Sequence, residues 1–186
     1  MPVNETPGGA DPALWDRSLP AGRVTPWGGY RVLDAASGRF VDAPAADQAI
    51  IRDYPFWVDK GPLVGATRLT LTTARTALRV GEAVRVAHIV EECGSGRMLY
   101  GVGPKAVGDE FLDGVPVTPV SQRQGEYPWL PASYDGESVA SPGIDDNFAI
   151  TEYRFEQPGV HRIDWRPGRF RSNVLVVTVT AGLMLR

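Results

Sequence analysis

Hydrophobic and polar residues alternate along much of the chain between residues 67 and 180. RLTLTT (68–73) places Leu69 and Leu71 on one face, and AVRVAHIVEE (83–92) places three valines on one face. A period of two is typical of strands that bury one side. Turns rich in Gly and Pro separate these strands, and no long segment has the helical period. The pattern predicts an all-β fold of roughly seven to nine short strands.

The first 64 residues follow no regular period. Their prolines interrupt any long helix, whereas their tryptophans and tyrosines make the segment too apolar for a free tail. We therefore expect it to lie across the strand domain, with a short hairpin over 30–41 and a short helix over 45–51. The predicted organisation is an irregular wrapping segment over 1–64 and a β-sandwich domain over 65–186.

Two stretches resemble the opening and closing strands of immunoglobulin-like and fibronectin-like domains. They are LRVGEAVRVAHIVEE (78–92) and YRFEQPGVHRIDWRPGRFRSNVLVVTV (153–179). The resemblance covers about residues 67–183 and implies an immunoglobulin-like antiparallel β-sandwich. The antibody-type Cys…Trp…Cys framework is absent, because Cys93 is the only cysteine. A resemblance of fold implies no particular function.

Charge and cysteine content limit the partners and the compartment. The 186 residues carry 19 Lys and Arg against 22 Asp and Glu, a net charge of −3 with a pI near 5.4. This argues against nucleic acid and anionic membranes as partners, since both attract a basic surface. A lone Cys93 predicts a reducing, cytoplasmic location. The preference for arginine over lysine, with abundant Ala, Gly, Val and Pro, indicates a bacterial protein.

The two histidines are candidates for proton transfer, because an imidazole titrates near neutral pH. By alternation, His88 and His161 each lie on the apolar face of their strand. Two interpretations stay open. Each ring is a neutral core histidine satisfied by a hydrogen bond, or it is a general acid or base. The catalytic set would then be His88, His161, Tyr134 and Asp135.

The segment GEYPWLPASYDGES (125–138) combines aromatic residues with two prolines. A loop stiffened by proline makes a good wall for a ligand, because little conformational entropy remains to be lost on binding. YPFWV (54–58) repeats the pattern. The predicted ligand-binding residues are Tyr127, Trp129, Tyr100, Trp57 and Trp165. The alternative interpretation is that both segments are flaps that cover sheet edges.

We expect neither a metal nor a cofactor. No spacing of His, Cys and carboxylates indicates a transition-metal site, and no Gly-rich phosphate loop is present. Asp145, Asp146 and Asn147 resemble the oxygen-rich loops that bind calcium. Such runs are also common in turns, where they form local hydrogen bonds, and we favour that interpretation.

Three functional hypotheses follow. The first is a binding protein that recognises a small molecule or a protein partner through the aromatic and Pro-rich loop. The second is a cofactor-independent cyclase, isomerase or lyase of bacterial metabolism that uses His and Tyr for proton transfer. The third is a structural or assembly subunit, and a homo-oligomer is compatible with all three. Binding is favoured because no acid, base and nucleophile stand together in the sequence.

Overall fold

A computed structural model describes residues 31–34, 37, 39–99, 107–130, 138–145 and 148–182. Within these residues the chain forms fourteen strands, one α-helix and one 3₁₀ helix. In chain order they are β1 (Arg31–Asp34), β2 (Arg39–Asp42), α1 (Ala45–Asp53), the 3₁₀ helix (Tyr54–Phe56), β3 (Leu63–Val64), β4 (Thr67–Thr73), β5 (Ala77–Arg79), β6 (Ala83–Glu92), β7 (Met98–Leu99), β8 (Glu110–Leu112), β9 (Val115–Pro116), β10 (Val139–Ala140), β11 (Gly143–Ile144), β12 (Ala149–Arg154), β13 (Gly159–Trp165) and β14 (Leu175–Thr180).

The first of two five-stranded sheets, sheet 1, is organised around β6. Strand β4 pairs with β6 along one side, and β3 forms the edge beyond β4. Strands β11 and β12 pair with the other side of β6, one after the other along its length. All of these pairings are antiparallel. The register places His88 between Leu71 on β4 and Ala149 on β12.

The second five-stranded sheet, sheet 2, has the order β5-β14-β13-β8-β9. Its pairings are antiparallel except that β5 runs parallel to β14. Only residues 74–76 separate β4 from β5, yet the two strands belong to different sheets. The chain therefore crosses from one sheet to the other at this short break.

The inner faces of the two sheets share one hydrophobic core. Leu69, Leu71 and Val86 project from sheet 1, and Ile163 and Val177 project from sheet 2; all five are 0% exposed. Their strands alternate buried and exposed positions wherever the other face meets solvent, as on β14. This matches a sheet that buries one side.

The outer face of sheet 1 is also covered. A second cluster joins Ile50 of α1 and Tyr54 of the 3₁₀ helix to Ala87 and Ile89 on the outward face of β6. Strand β4 is consequently buried on both faces along its whole length. Residues 43–57 thus lie across the strand domain, while the boundary at residue 64 stays a prediction.

The all-β class is confirmed, as are the hairpin of β1 and β2 and the helix α1. The two sheets hold ten strands in the described part of the chain, more than the seven to nine expected. The excess comes from two-residue strands such as β3, β9 and β11, which are too short for alternation to reveal. Among the described residues, no helix is long and apolar enough to cross a membrane.

Candidate functional site

His88 lies at the centre of the main core, on the inner face of β6. It is 1% exposed, and its ring meets the indole of Trp165 edge to face at 5.1 Å. Its Nδ1 lies 3.3 Å from the carbonyl oxygen of Ala149 on the neighbouring strand. Its Nε2 lies 3.2 Å from Oε2 of Glu110, which projects from β8 in the opposite sheet. The contact between His88 and Glu110 therefore joins the two sheets through the core.

Glu110 is fully buried and receives further polar contacts from β12. The hydroxyl of Thr151 donates a hydrogen bond to its Oε1 at 3.0 Å. Burial by itself would raise the pKa of Glu110, but His88, and then Tyr153 and Thr151, outweigh burial and lower it. Burial and the neighbouring Glu110 also raise the pKa of Tyr153, so its hydroxyl stays protonated. The carboxylate form of Glu110 is thus the stable one in this core.

Both nitrogens of the His88 ring face hydrogen-bond acceptors, one a carbonyl oxygen and the other a carboxylate. Each ring nitrogen therefore lies within 3.3 Å of a protein oxygen, and the core encloses the whole ring.

A small pocket opens beside this pair, between the two sheets. Its cavity volume is about 20 Å³, and it is partly open to solvent. Five of its seven lining residues are apolar and two are polar; they are Val90, Val107, Trp129, Ala149, Trp165, His88 and Asp145. Such a mixture of aromatic walls with few polar groups is typical of ligand sites.

The aromatic loop of residues 125–130 packs inward. Trp129 is 8% exposed and meets Phe170 edge to face at 5.1 Å, and Tyr127 meets Trp129 at 5.8 Å. The guanidinium of Arg97 lies 5.9 Å from the ring centre of Tyr127. The loop is therefore part of the core, and Trp129 also lines the pocket. Trp129 is thus a packing element, and its role as a wall for a ligand stays a prediction.

His161 lies elsewhere. It stacks on Phe155 at 4.3 Å, and its Nδ1 lies 2.8 Å from a carboxylate oxygen of Asp113. This hydrogen bond from His161 is the main reason why the pKa of Asp113 is lowered. Trp165, the residue that contacts His88, is four positions further along the extended strand from His161, roughly 13 Å away. The two histidines therefore do not form one site.

The remaining predicted site residues do not lie together. Trp165 lines the pocket, and its Nε1 donates a hydrogen bond to the carbonyl of Gly108 at 2.9 Å. Trp57 packs against the second cluster, on the opposite side of sheet 1. Tyr100, Tyr134 and Asp135 lie outside the described residues. Their roles stay predictions.

The calcium hypothesis concerns Asp145, whose neighbours Asp146 and Asn147 lie outside the described residues. Asp145 is 1% exposed, and its backbone N–H donates to the carbonyl of Val90 at 2.9 Å. It thus belongs to the pocket wall. Within the described ranges, no group of three or more His, Cys, Asp and Glu side chains could hold a metal ion.

A second group of buried charges lies under the N-terminal segment. Glu91 accepts a hydrogen bond from the hydroxyl of Tyr54 at 2.8 Å and lies 3.5 Å from Arg68 and 3.7 Å from Lys60. Burial, and next the charge of Glu91, raise the pKa of Tyr54 and of Cys93, the latter to about 12. Cys93 is therefore a protonated, buried thiol, unsuited to nucleophilic chemistry.

Glu110 is the important residue that the sequence analysis did not select. The clue in the sequence is that Glu110 shares one face of β8 with Leu112. A charged residue on an inward face needs a buried partner. The strand has only three residues, so its inward face could not be assigned by alternation. Thr151 and Tyr153 were missed for a related reason, since only the fold brings β12 opposite β8.

Comparisons with known proteins give little further information. No family model matches the chain, and no curated protein matches it. Among solved structures, a polysaccharide lyase aligns with 61% of this chain and 12% of its own length, at 18% sequence identity and a TM-score of 0.34. The chain thus corresponds to a small part of that protein. A likeness this weak carries no argument about fold or function.

Proposed function

We propose that the chain is a binding module built on an immunoglobulin-like sandwich. The strand orders support this fold. In an immunoglobulin domain, strands A, B and E are neighbours in one sheet, and C, F and G are neighbours in the other. Here β4, β6 and β12 are neighbours in sheet 1, and β8, β13 and β14 are neighbours in sheet 2.

The observation that carries the binding proposal is the pocket between Trp129 and Trp165 beside His88. Pockets for drug-sized ligands enclose roughly 300–1,000 Å³, whereas this cavity measures about 20 Å³, so it admits only the edge of a ring or a methyl group of a larger ligand. Its apolar walls favour a single ring or a branched aliphatic group. Such a group occurs equally on a small molecule and on a side chain of a protein partner.

Binding is better supported than catalysis because of the contacts of His88. Its two ring nitrogens face Ala149 and Glu110, whereas a general base needs a nitrogen directed at the substrate. A cyclase, isomerase or lyase that uses His88 would have to break one of these contacts. The bacterial origin, the cytoplasmic location and the absence of nucleic-acid and membrane partners stay predictions.

The experiment measures binding of four probes, phenol, indole, cyclohexanol and tert-butanol, by titration calorimetry. Val107→Trp places a large ring at the pocket wall, and Val117→Trp makes the same substitution at an exposed site outside the pocket. We expect at least one probe to bind the wild type and Val117→Trp equally and to lose at least tenfold in affinity to Val107→Trp. No binding of any probe, or equal binding to both variants, contradicts the proposal.

A further inference from the structure

One wall of the pocket carries a buried carboxylate. Asp145 directly follows β11, is 1% exposed and lines the pocket together with His88 and Ala149. Its backbone N–H donates to the carbonyl of Val90 at 2.9 Å, which extends the pairing of β11 with β6 by one residue. The backbone of sheet 1 therefore fixes the place of Asp145 in the wall.

The alternation along this strand directs Asp145 toward the core. The preceding residue, Ile144, packs in the second cluster on the outer face of sheet 1, and successive side chains of a strand point to opposite faces. Val90, which lies across from Asp145 on β6, belongs to the main core between the two sheets. The carboxylate thus lies on the inner face of sheet 1, beside the pocket.

Two indole rings line the same pocket. Trp165 projects from β13 in sheet 2, and Trp129 belongs to the aromatic loop. The face of an indole ring attracts a cation more strongly than the face of any other aromatic side chain. The carboxylate and the two indoles therefore attract the same kind of group, which is a positive charge on an apolar stem.

The charged groups around the pocket also favour a cation. Glu110, a carboxylate in this core, contacts His88 from the opposite sheet. With Asp145 ionised as well, two negative charges stand beside one imidazole, so that even a protonated His88 leaves an excess of one negative charge. None of the seven described residues that line the pocket is a lysine or an arginine. A cationic group is therefore attracted to the pocket, and an anionic group is repelled.

The small size of the cavity selects among cationic groups. A volume of about 20 Å³, partly open to solvent, has room for a group the size of a methyl group. A primary ammonium group is about that size, whereas a trimethylammonium or guanidinium group contains several units as large. A primary ammonium group also offers N–H donors, and a hydrogen bond from such a group to a carboxylate is strengthened by both charges.

We propose that the pocket binds a primary alkylammonium group, with its nitrogen at Asp145 and its methylene chain against Trp129 and Trp165. The inference rests on the proposed binding function and names the class of ligand. A group of this kind occurs on free alkylamines and on the lysine side chains of proteins. A small amine and a protein partner would thus be recognised by the same contacts.

The experiment compares the affinities of n-butylammonium, 1-butanol and Nα-acetyl-lysine methylamide for the full chain by NMR titration. Asp145→Asn keeps the shape of the side chain and removes its charge. Asp53→Asn is the matched control, because it removes one carboxylate whose side chain is 66% exposed. We expect the wild type and Asp53→Asn to bind n-butylammonium about tenfold more tightly than 1-butanol, and Asp145→Asn to bind both probes equally. Tighter binding of the lysine derivative than of n-butylammonium assigns the site to a protein side chain, and the reverse order assigns it to a free amine.

A second measurement needs no substitution. In the wild type, the methylene protons of n-butylammonium should show intermolecular nuclear Overhauser effects to the indole protons of Trp129 and Trp165. Equal affinities of the wild type for n-butylammonium and 1-butanol overturn the inference, as does an unchanged preference in Asp145→Asn or effects only to residues outside the pocket. If 1-butanol then still binds the wild type and is lost in Val107→Trp, the proposed binding function stands without this ligand class. Binding of none of the probes contradicts both.

Discussion

Replacing Trp129 with alanine is expected to destabilise the fold strongly, although the residue lies in a loop. The side chain is 8% exposed and belongs to the main core. Its ring meets Phe170 and Tyr127 edge to face, at 5.1 and 5.8 Å. The substitution removes both aromatic contacts and opens a space between the loop and the two sheets.

The magnitude follows from the buried area. A buried tryptophan removes about 150–250 Å² from water, and at about 25 cal/mol per Å² this corresponds to about 4–6 kcal/mol. Alanine keeps a methyl group, and the neighbours relax partly into the space. We therefore expect the free energy of unfolding to fall by about 3–5 kcal/mol, the usual range for such substitutions.

The assay is urea unfolding followed by circular dichroism for the wild type, Trp129→Ala and Phe56→Ala. Phe56 is 74% exposed, so its substitution should change the free energy of unfolding by less than about 0.5 kcal/mol. A loss below about 1 kcal/mol for Trp129→Ala would refute the reasoning, because it would mean that the ring does not stabilise the core.

Three further substitutions test other contacts. Glu110→Gln removes the buried carboxylate that accepts a hydrogen bond from Thr151 and contacts His88, and it should lower the free energy of unfolding by about 1–3 kcal/mol at pH 7. The fold lowers the pKa of Glu110, so its carboxylate stabilises the folded protein fully above the ordinary pKa of 4.5. This contribution is lost as the pH falls through the folded pKa. Urea unfolding as a function of pH should show the loss in the wild type and not in the variant. Asn173→Ala leaves the N–H and carbonyl of Leu71 without their side-chain partner, and thermal unfolding should reveal a loss of about 2–4 kcal/mol. Gly61→Ala places a Cβ 1.9 Å from a backbone oxygen of β4, so its melting temperature should fall by several degrees, and an unchanged value would contradict the close approach.

The sequence predicted the long strands well because their alternation is strong. Strand β6 was expected over 83–92 and forms over those residues, with His88 on the buried face. The helix over 45–51 and the hairpin over 30–41 also form, within one or two residues of the expected limits. In each case the local pattern and the tertiary environment favour the same structure.

The candidate site was only partly predictable. Trp129 and Trp165 were selected as aromatic residues, and both line the pocket. Glu110 was missed because its role depends on a contact between residues 22 positions apart in different sheets. His161 was grouped with His88 although the fold separates them. Alternation assigns a residue to a face but does not give its position along the neighbouring strands.

The most direct test of the binding proposal is a titration of the ¹⁵N-labelled protein with phenol, followed by NMR. The Trp165 indole N–H and the Ala149 amide report on the pocket from opposite sheets. We predict that both signals shift together and saturate in the wild type and stay unchanged in Val107→Trp. Shifts confined to signals outside the pocket, or equal shifts in Val107→Trp, would contradict the claim that this pocket binds a ligand.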